Sequence, residues 1–194
     1  MHAFRCLVLA ALLPAGLAVA CSEGTAPVAT SPGEGAVSRT IAIVDPTEAD
    51  VPPLHPSVDD YPEATVALEP PDPRRAVGVA TKVASTSDQL AHGLMEVEEL
   101  PEGVGMLFLF AEDRDGAFWM KDTLVPLDIA WADASGAIVD IQRMEPCPPD
   151  SACPRYSPGA AYRTALEVPA GWFADVGVDT DWRLVLPEGL PAAE

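Results

Sequence analysis

Four polar side chains are set among large apolar residues in the segment Phe118–Ile129. They are Lys121, Asp122, Thr123 and Asp128. Polar groups in such surroundings cost free energy unless they are paired. The segment therefore either holds an internal polar network or lines a site. A cation and carboxylates beside an aromatic wall suit a polar small molecule such as a sugar.

Two interpretations of these side chains stay open. In the structural one, Lys121 pairs with Asp128 and the Thr123 hydroxyl satisfies backbone groups in a sharp turn. In the binding one, Lys121 holds a ligand carboxylate or hydroxyl, Asp128 orients Lys121 or accepts from the ligand, and Tyr156 covers it. We predict this ligand-binding set: Trp119, Lys121, Asp122, Thr123, Asp128 and Tyr156.

A further carboxylate, Glu167, lies between Leu166 and Val168 in an apolar strand. Glu167 and Asp128 would together form the carboxylate pair that glycoside hydrolysis uses. An envelope carbohydrate hydrolase with these two residues is thus the alternative function. In the other interpretation, Glu167 points outward from an alternating strand. The leading hypothesis is a non-enzymatic binding domain, and a purely structural or chaperone-like role is a third.

The sequence predicts neither a metal site nor a cofactor. The methionines outside the leader are dispersed, which favours core filling over a copper site. The chain has 3 histidines, and only His92 lies within the predicted domain. A lone histidine without a Ser-containing elbow or reactive Cys disfavours triad-type catalysis. The chain also lacks a glycine-rich phosphate loop.

The first 20 residues have the pattern of a bacterial secretory signal. Arg5 gives a positive start, and an apolar run from Leu7 to Ala20 follows. This run is short for a membrane-spanning helix. The segment Leu17–Cys21 resembles the lipobox of bacterial lipoproteins, with Ala18 where Leu is commoner. We therefore expect Cys21 to carry lipid and to anchor the chain to the outside of the bacterial envelope, and ordinary cleavage after Ala20 is the alternative.

The chain is strongly acidic. It has 11 Lys and Arg against 30 Asp and Glu, a formal net charge of −19. Such a charge repels phosphate backbones and anionic headgroups, which argues against nucleic-acid binding. We expect membrane contact through the N-terminal lipid only, a monomeric state, and a small polar ligand or an envelope component as the partner.

Two cysteines remain once Cys6 leaves with the signal and Cys21 is lipidated. They are Cys147 and Cys153, which are separated by five residues in a proline-rich stretch. An even pair in an exported protein indicates a disulfide. A redox pair would favour Cys-x-x-Cys spacing, and a zinc site would need more ligands.

Composition divides the chain into four parts: a signal peptide at 1–20, the lipidated Cys21 with a proline-rich acidic disordered linker over 21–74, a β domain at 75–187, and a tail at 188–194. Prolines recur throughout the linker, and such composition buries too little apolar surface to offset the entropy of ordering. The domain shows short, frequent strand signals. We predict these strands: 76–83, 105–110, 117–121, 127–132, 137–144, 161–168 and 181–186. A helix from Ser87 to Leu100 and a turn of helix at Gly171–Val176 are also indicated. The pattern favours a mainly β sandwich or jelly-roll-like fold with one or two short helices.

Several motifs in one order resemble domain-of-unknown-function family 192. They are Gly93-Leu94-Met95, Leu100-Pro101-Glu102, Gly105-Met106-Leu107-Phe108, Phe118 to Thr123 with Pro126 to Ile129, the Cys147–Cys153 segment, and Leu166 to Gly171. The resemblance covers the predicted domain and none of the linker. It implies a compact β-rich fold, and it implies no reaction.

Two positions depart from this resemblance. The family usually has Asn where this chain has Asp122, and it usually has Arg where this chain has His92. Asp122 adds a carboxylate beside Lys121 and is expected to pair with it. The substitution casts doubt on any role that needs a neutral amide at that position.

Overall fold

The computed structural model describes residues 50–72, 75–148 and 152–194. The predicted signal peptide, the lipidated Cys21 and the linker up to residue 49 lie outside the described residues. Within the described ranges, no helix is long and apolar enough to cross a membrane.

Strands dominate the described part of the chain, which confirms the mainly β fold class. The strands are β1 Glu63–Glu69, β2 Val77–Ala84, β3 Val104–Arg114, β4 Phe118–Trp119, β5 Leu127–Ala132, β6 Ile138–Met144, β7 Arg155–Tyr156, β8 Tyr162–Pro169 and β9 Arg183–Val185. The helices are α1 Ser87–His92 and α2 Trp172–Val176. Both helices are short, as the sequence predicts.

Seven strands form one mixed sheet in the order β6-β5-β8-β3-β2-β1-β9. Among the described strands, only β2 and β3 pair in parallel, and α1 lies in the connection between them. The sheet curls until its edges meet, because Ala137 bridges to Arg183 and the Leu184 N–H donates to the Gly136 carbonyl at 2.8 Å. The short strands β4 and β7 pair separately as a two-stranded ribbon.

Both faces of the sheet are buried. One apolar cluster draws residues from all seven strands and is covered by Trp172 and Phe173 of α2. The other includes Met106, Ile129 and Trp131 and is covered by the 94–100 connection and the segment before β1. Two-sided burial explains why β2, most of β3 and β5 are largely apolar and do not alternate between apolar and polar residues.

The predicted boundary between linker and domain, at residue 75, is wrong. β1 lies inside the sheet between β2 and β9, with Val66 and Leu68 fully buried. Lys82 on β2 ties this segment down, because its Nζ contacts the Glu63 carboxylate and the Asp59 carbonyl, each at 2.7 Å. Tertiary pairing therefore overrides a composition that resembles a disordered segment.

The predicted helix at 87–100 is shorter than expected. Thr86, rather than Ser87, is the N-cap, and it forms a capping box with Gln89. The helix stops at Gly93, whose φ of 55° is in the left-handed region. An added Cβ at Gly93 would lie 3.3 Å from the Phe108 ring, so the chain passes close to β3 at this point.

Candidate functional site

An aromatic cleft of about 350 Å³ opens between α1 and the β3–β4 region. Its wall is formed by Phe110, Phe118, Trp119 and Tyr162, and Phe118 meets Phe108 edge to face at 5.1 Å between ring centroids. Tyr162 is fixed by donating its hydroxyl hydrogen to the Gly116 carbonyl at 3.0 Å. A concave aromatic surface of this volume is typical of small-molecule sites.

A smaller cavity of about 30 Å³ adjoins this cleft, and we call it the acid cavity. It shares with the aromatic cleft the lining residues Leu90, Ala91, Phe118 and Trp119. Its polar lining is provided by His92, Thr123 and Glu167. The two spaces together place aromatic lining residues beside a small set of polar ones.

Glu167 is the most perturbed acid in the described part of the chain. Its side chain is only 5% exposed, and no described residue forms a hydrogen bond with its carboxyl group. Burial therefore raises the pKa of Glu167 to about 8. The outward-facing interpretation of this residue is wrong, because β8 is covered on both faces.

The other two polar groups of the acid cavity are also available to a guest. The Nε2 atom of His92 is buried and has no partner among the described residues. Thr123 is 7% exposed and donates its hydroxyl hydrogen to the Lys121 carbonyl at a long 3.4 Å, which leaves the oxygen lone pairs free. The register of the sheet and the turn at Gly93 together assemble this trio.

Trp119 lies at the rim, on the ribbon of β4 and β7. It is 39% exposed, and the Arg155 guanidinium stacks on its ring at 4.5 Å. The Lys121 ammonium lies 5.9 Å from the same ring. Trp131, Trp172 and Trp182 are by contrast buried in the core. Trp119 is therefore the one tryptophan of the described chain that is placed to contact a ligand.

Lys121 and Asp122 occupy an exposed turn beside Trp119. Their charged atoms are 3.8 Å apart, and more than half of each side chain is exposed, so the pair adds little stability. Asp122 has a φ of 53°, a conformation that Asp and Asn tolerate better than most residues. This backbone requirement accounts for either Asn or Asp at the position without any role for an amide.

Asp128 belongs to a separate structural network. It accepts hydrogen bonds from the Arg143 Nε–H and from the Gly171 N–H, the latter at 2.8 Å. These bonds join β5, β6 and the start of α2. Asp128 therefore pairs with Arg143, and the predicted pairing or orientation of Lys121 by Asp128 is wrong.

The register also separates Asp128 from Glu167. On β5 and β8, Asp128 is opposite Val168, whereas Glu167 is opposite Ile129. Because successive residues of a strand point to opposite faces, the two carboxylates lie on opposite sides of the sheet. The structure does not assemble the acid and base pair of the hydrolase alternative.

Tyr156 and the disulfide buttress the ribbon. Cys147 and Cys153 are bonded, with Cα atoms 5.2 Å apart, which confirms the predicted disulfide. The Tyr156 hydroxyl accepts from the Glu145 N–H at 3.2 Å, and Tyr156 is opposite Phe118 in the ribbon register. Tyr156 thus supports an aromatic residue of the cleft, and it does not itself line the cleft or the acid cavity.

Of the six predicted ligand-binding residues, Trp119 and Thr123 line these spaces, and Lys121 lies at the rim. The sequence identified His92 only as an isolated histidine, and Glu167 either as a partner for Asp128 or as an outward-facing strand residue. The available signal was a charged residue inside an apolar strand, which is rarely buried without a reason. Among the described residues, no group of three or more His, Cys, Asp and Glu side chains is arranged to hold a metal ion.

Comparison with known proteins gives a family match and similarity to solved structures, two of which are described below. The model of the family DUF192, described as "Uncharacterized ACR", matches residues 71–186. A crystal structure from Sinorhizobium meliloti 1021, described as a "putative transcription regulator", is 29% identical with a TM-score of 0.56, covering 64% of this chain and 93% of that one. A protein of unknown function from Novosphingobium aromaticivorans DSM 12444 is 26% identical with a TM-score of 0.58, covering 71% and 94%. No curated protein matches the chain.

Proposed function

Because the chain belongs to the DUF192 family, whose description assigns no reaction, we propose a function from the site itself: binding of a small polar ligand in the aromatic cleft. The observation that carries the proposal is the junction of the cleft of about 350 Å³ with the acid cavity. Aromatic walls supply contact area, and a few unpaired polar groups supply orientation and specificity. Trp119 would cover the ligand, and Lys121 would contact its solvent-facing end.

We propose that this binding takes place at the outer face of a bacterial membrane, with the chain held by lipid on Cys21. The apolar run before Cys21 and the Cys147–Cys153 disulfide both support export, since disulfides persist in oxidising compartments. A Cys21→Ser variant should move from the membrane fraction to the soluble fraction. Unchanged membrane association of that variant would contradict a lipid anchor at this residue.

The regulatory role suggested for the Sinorhizobium meliloti protein is not extended to this chain. The formal net charge of −19 on this chain opposes its approach to the phosphate backbone of DNA. A ligand-binding role requires no such approach. The same negative charge favours cationic ligands.

Thermal unfolding of the purified full chain tests the binding proposal. The panel contains glycans, amino acids, amines, nucleotides and divalent metals, and a ligand at 100 times its Kd should add about 2.7 kcal/mol of stability. Trp119→Ala should abolish the shift, and Lys121→Ala should reduce it. Leu124→Ala is the matched control, because Leu124 is 55% exposed and lies outside the cleft lining.

A shift that persists in the Trp119→Ala variant would place the ligand elsewhere. A panel in which no compound shifts the folded wild-type protein would contradict the proposal and favour a structural role or a protein partner.

A further inference from the structure

With Glu167 ionised and the His92 ring proton on Nδ1, the described polar side chains of the acid cavity present three hydrogen-bond acceptors and no free donor. Ionised Glu167 only accepts, and it is 5% exposed without a partner. The buried Nε2 of His92 accepts when the ring proton is on Nδ1. Thr123 has already directed its hydroxyl hydrogen to the Lys121 carbonyl, so its oxygen faces a guest as an acceptor. The missing partner is therefore a group that donates several hydrogen bonds.

A primary ammonium group meets this description. It donates three hydrogen bonds and accepts none, whereas a hydroxyl donates only one. Its charge compensates a buried carboxylate, which is costly to leave unpaired. The rings of Phe108 and Phe118 also line the acid cavity, and aromatic faces attract cations. We propose that the acid cavity binds the ammonium head of a primary amine, an inference that rests on the proposed ligand-binding function.

The dimensions of the two spaces agree with this ligand class. The acid cavity, at about 30 Å³, has room for a group the size of a water molecule or an ammonium head. The aromatic cleft then receives the rest of the ligand along Leu90, Phe118 and Trp119. A trimethylammonium head is too large for the cavity. Two cations, Lys121 and Arg155, lie beside Trp119. Both are exposed to solvent, which screens their repulsion of the ligand.

Binding of an ammonium group should be coupled to release of the proton from the Glu167 carboxyl. Burial raises the pKa of Glu167 to about 8, so a carboxyl that ionises on binding would release about 0.9 proton at pH 7. Amine affinity should rise by up to about tenfold per pH unit between pH 6 and 8. His92 is the other titratable group that lines the acid cavity. The other charged groups nearby are Arg114 in the cleft, Arg155 on the Trp119 ring, and the exposed pair Lys121 and Asp122.

Calorimetric titration of the full chain with hexylamine, 1-hexanol and hexyltrimethylammonium tests the assignment. Hexylamine should bind at least about tenfold more tightly than either analogue. Glu167→Gln should weaken hexylamine at least about tenfold while it leaves 1-hexanol within twofold, since only the charge at the cavity changes. Glu98→Gln is the matched control, because it removes the same charge from an exposed position. Glucosamine and Nα-acetyl-lysine amide distinguish an amino sugar from a peptide-borne amine.

Equal affinities for hexylamine and 1-hexanol, or an unchanged hexylamine affinity in Glu167→Gln, would overturn the ammonium assignment and leave binding in the cleft intact. Failure of every compound to bind would overturn both proposals. If the Glu167→Gln variant does not fold, titrations of the wild-type protein in buffers of different ionisation enthalpy decide the matter. Release of about 0.9 proton at pH 7 supports the assignment, and release of none overturns it.

Discussion

The buried carboxyl of Glu167 should make the stability of the ligand-free protein fall as the pH rises. Its pKa is about 8 in the folded protein, against the ordinary value of 4.5 for a glutamate in the unfolded chain. A raised folded pKa means that the native state holds the proton more tightly. The contribution of Glu167 is therefore fully present below pH 4.5 and is lost as the pH rises through 8.

The size of this effect follows from the two pKa values. The difference between 4.5 and about 8 corresponds to about 5 kcal/mol of unfolding free energy, at about 1.4 kcal/mol per pH unit within that window. Glu167→Gln removes the titration and keeps the shape of the side chain. The stability of this variant relative to wild type should thus increase by about 1.4 kcal/mol for each unit between pH 5 and 8.

Urea unfolding at pH 5, 6, 7 and 8 measures this difference directly. The other acids contribute equally to both proteins, so they cancel in the comparison. Glu98→Gln, at an exposed position, should give a difference from wild type that is nearly independent of pH. Parallel pH profiles for wild type and Glu167→Gln would refute the argument, because they would show a carboxyl that is ionised and satisfied in the folded protein.

Three further predictions, made with three substitutions and two deletions, concern the frame around the site. Gly136→Ala should lower the free energy of unfolding, measured in urea, by about 2 kcal/mol or more, because φ is 85° and the new Cβ would clash with the Leu184 carbonyl. Gly159→Ala is the control: its φ is 67° and nothing lies within 4 Å of the new Cβ, so it should cost only about 1 kcal/mol. Asp128→Ala should cost about 2 kcal/mol, because it removes the charge-assisted hydrogen bonds from the half-exposed Arg143 and from the Gly171 N–H, and the hexylamine affinity measured by calorimetry should stay within twofold. Deletion of residues 1–74 should abolish cooperative thermal unfolding, since it removes β1 from the sheet, whereas deletion of residues 1–49 should preserve it.

The sequence predicted those strands that end in strong turn signals. The bounds of β5, Leu127–Ala132, are as predicted, because an apolar run is followed by the turn at Asp133–Gly136. β1 was missed because Pro62 and Pro70 flank it and only Val66 and Leu68 supply apolar alternation. Such a strand is stabilised by its neighbours rather than by its own composition, so no local pattern could reveal it.

The predicted pairing of Asp128 with Glu167 failed for a related reason. The strands that carry these residues were predicted, but the face of the sheet to which each side chain points was not. Asp128 and Glu167 are both acids inside apolar strands, and the sequence alone does not distinguish a structural from a functional role for either of them. Their separation depends on the register of β5 against β8, and a shift of one residue would exchange the faces. A sheet that is buried on both sides removes the alternation that would have indicated which face each acid occupies.

The different partners of the two acids explain why only one of them indicates function. Asp128 has Arg143 and the Gly171 N–H, and this network holds three elements together. Glu167 has no partner among the described residues, although a glutamine there would relieve the cost at neutral and alkaline pH. A residue that lowers stability persists where its chemistry is needed, and stability and activity are commonly opposed at such positions. On this reasoning, Glu167→Gln should make the protein more stable at pH 8 and less able to bind an amine. A variant that gained stability at that pH without losing amine affinity would break the link between the two.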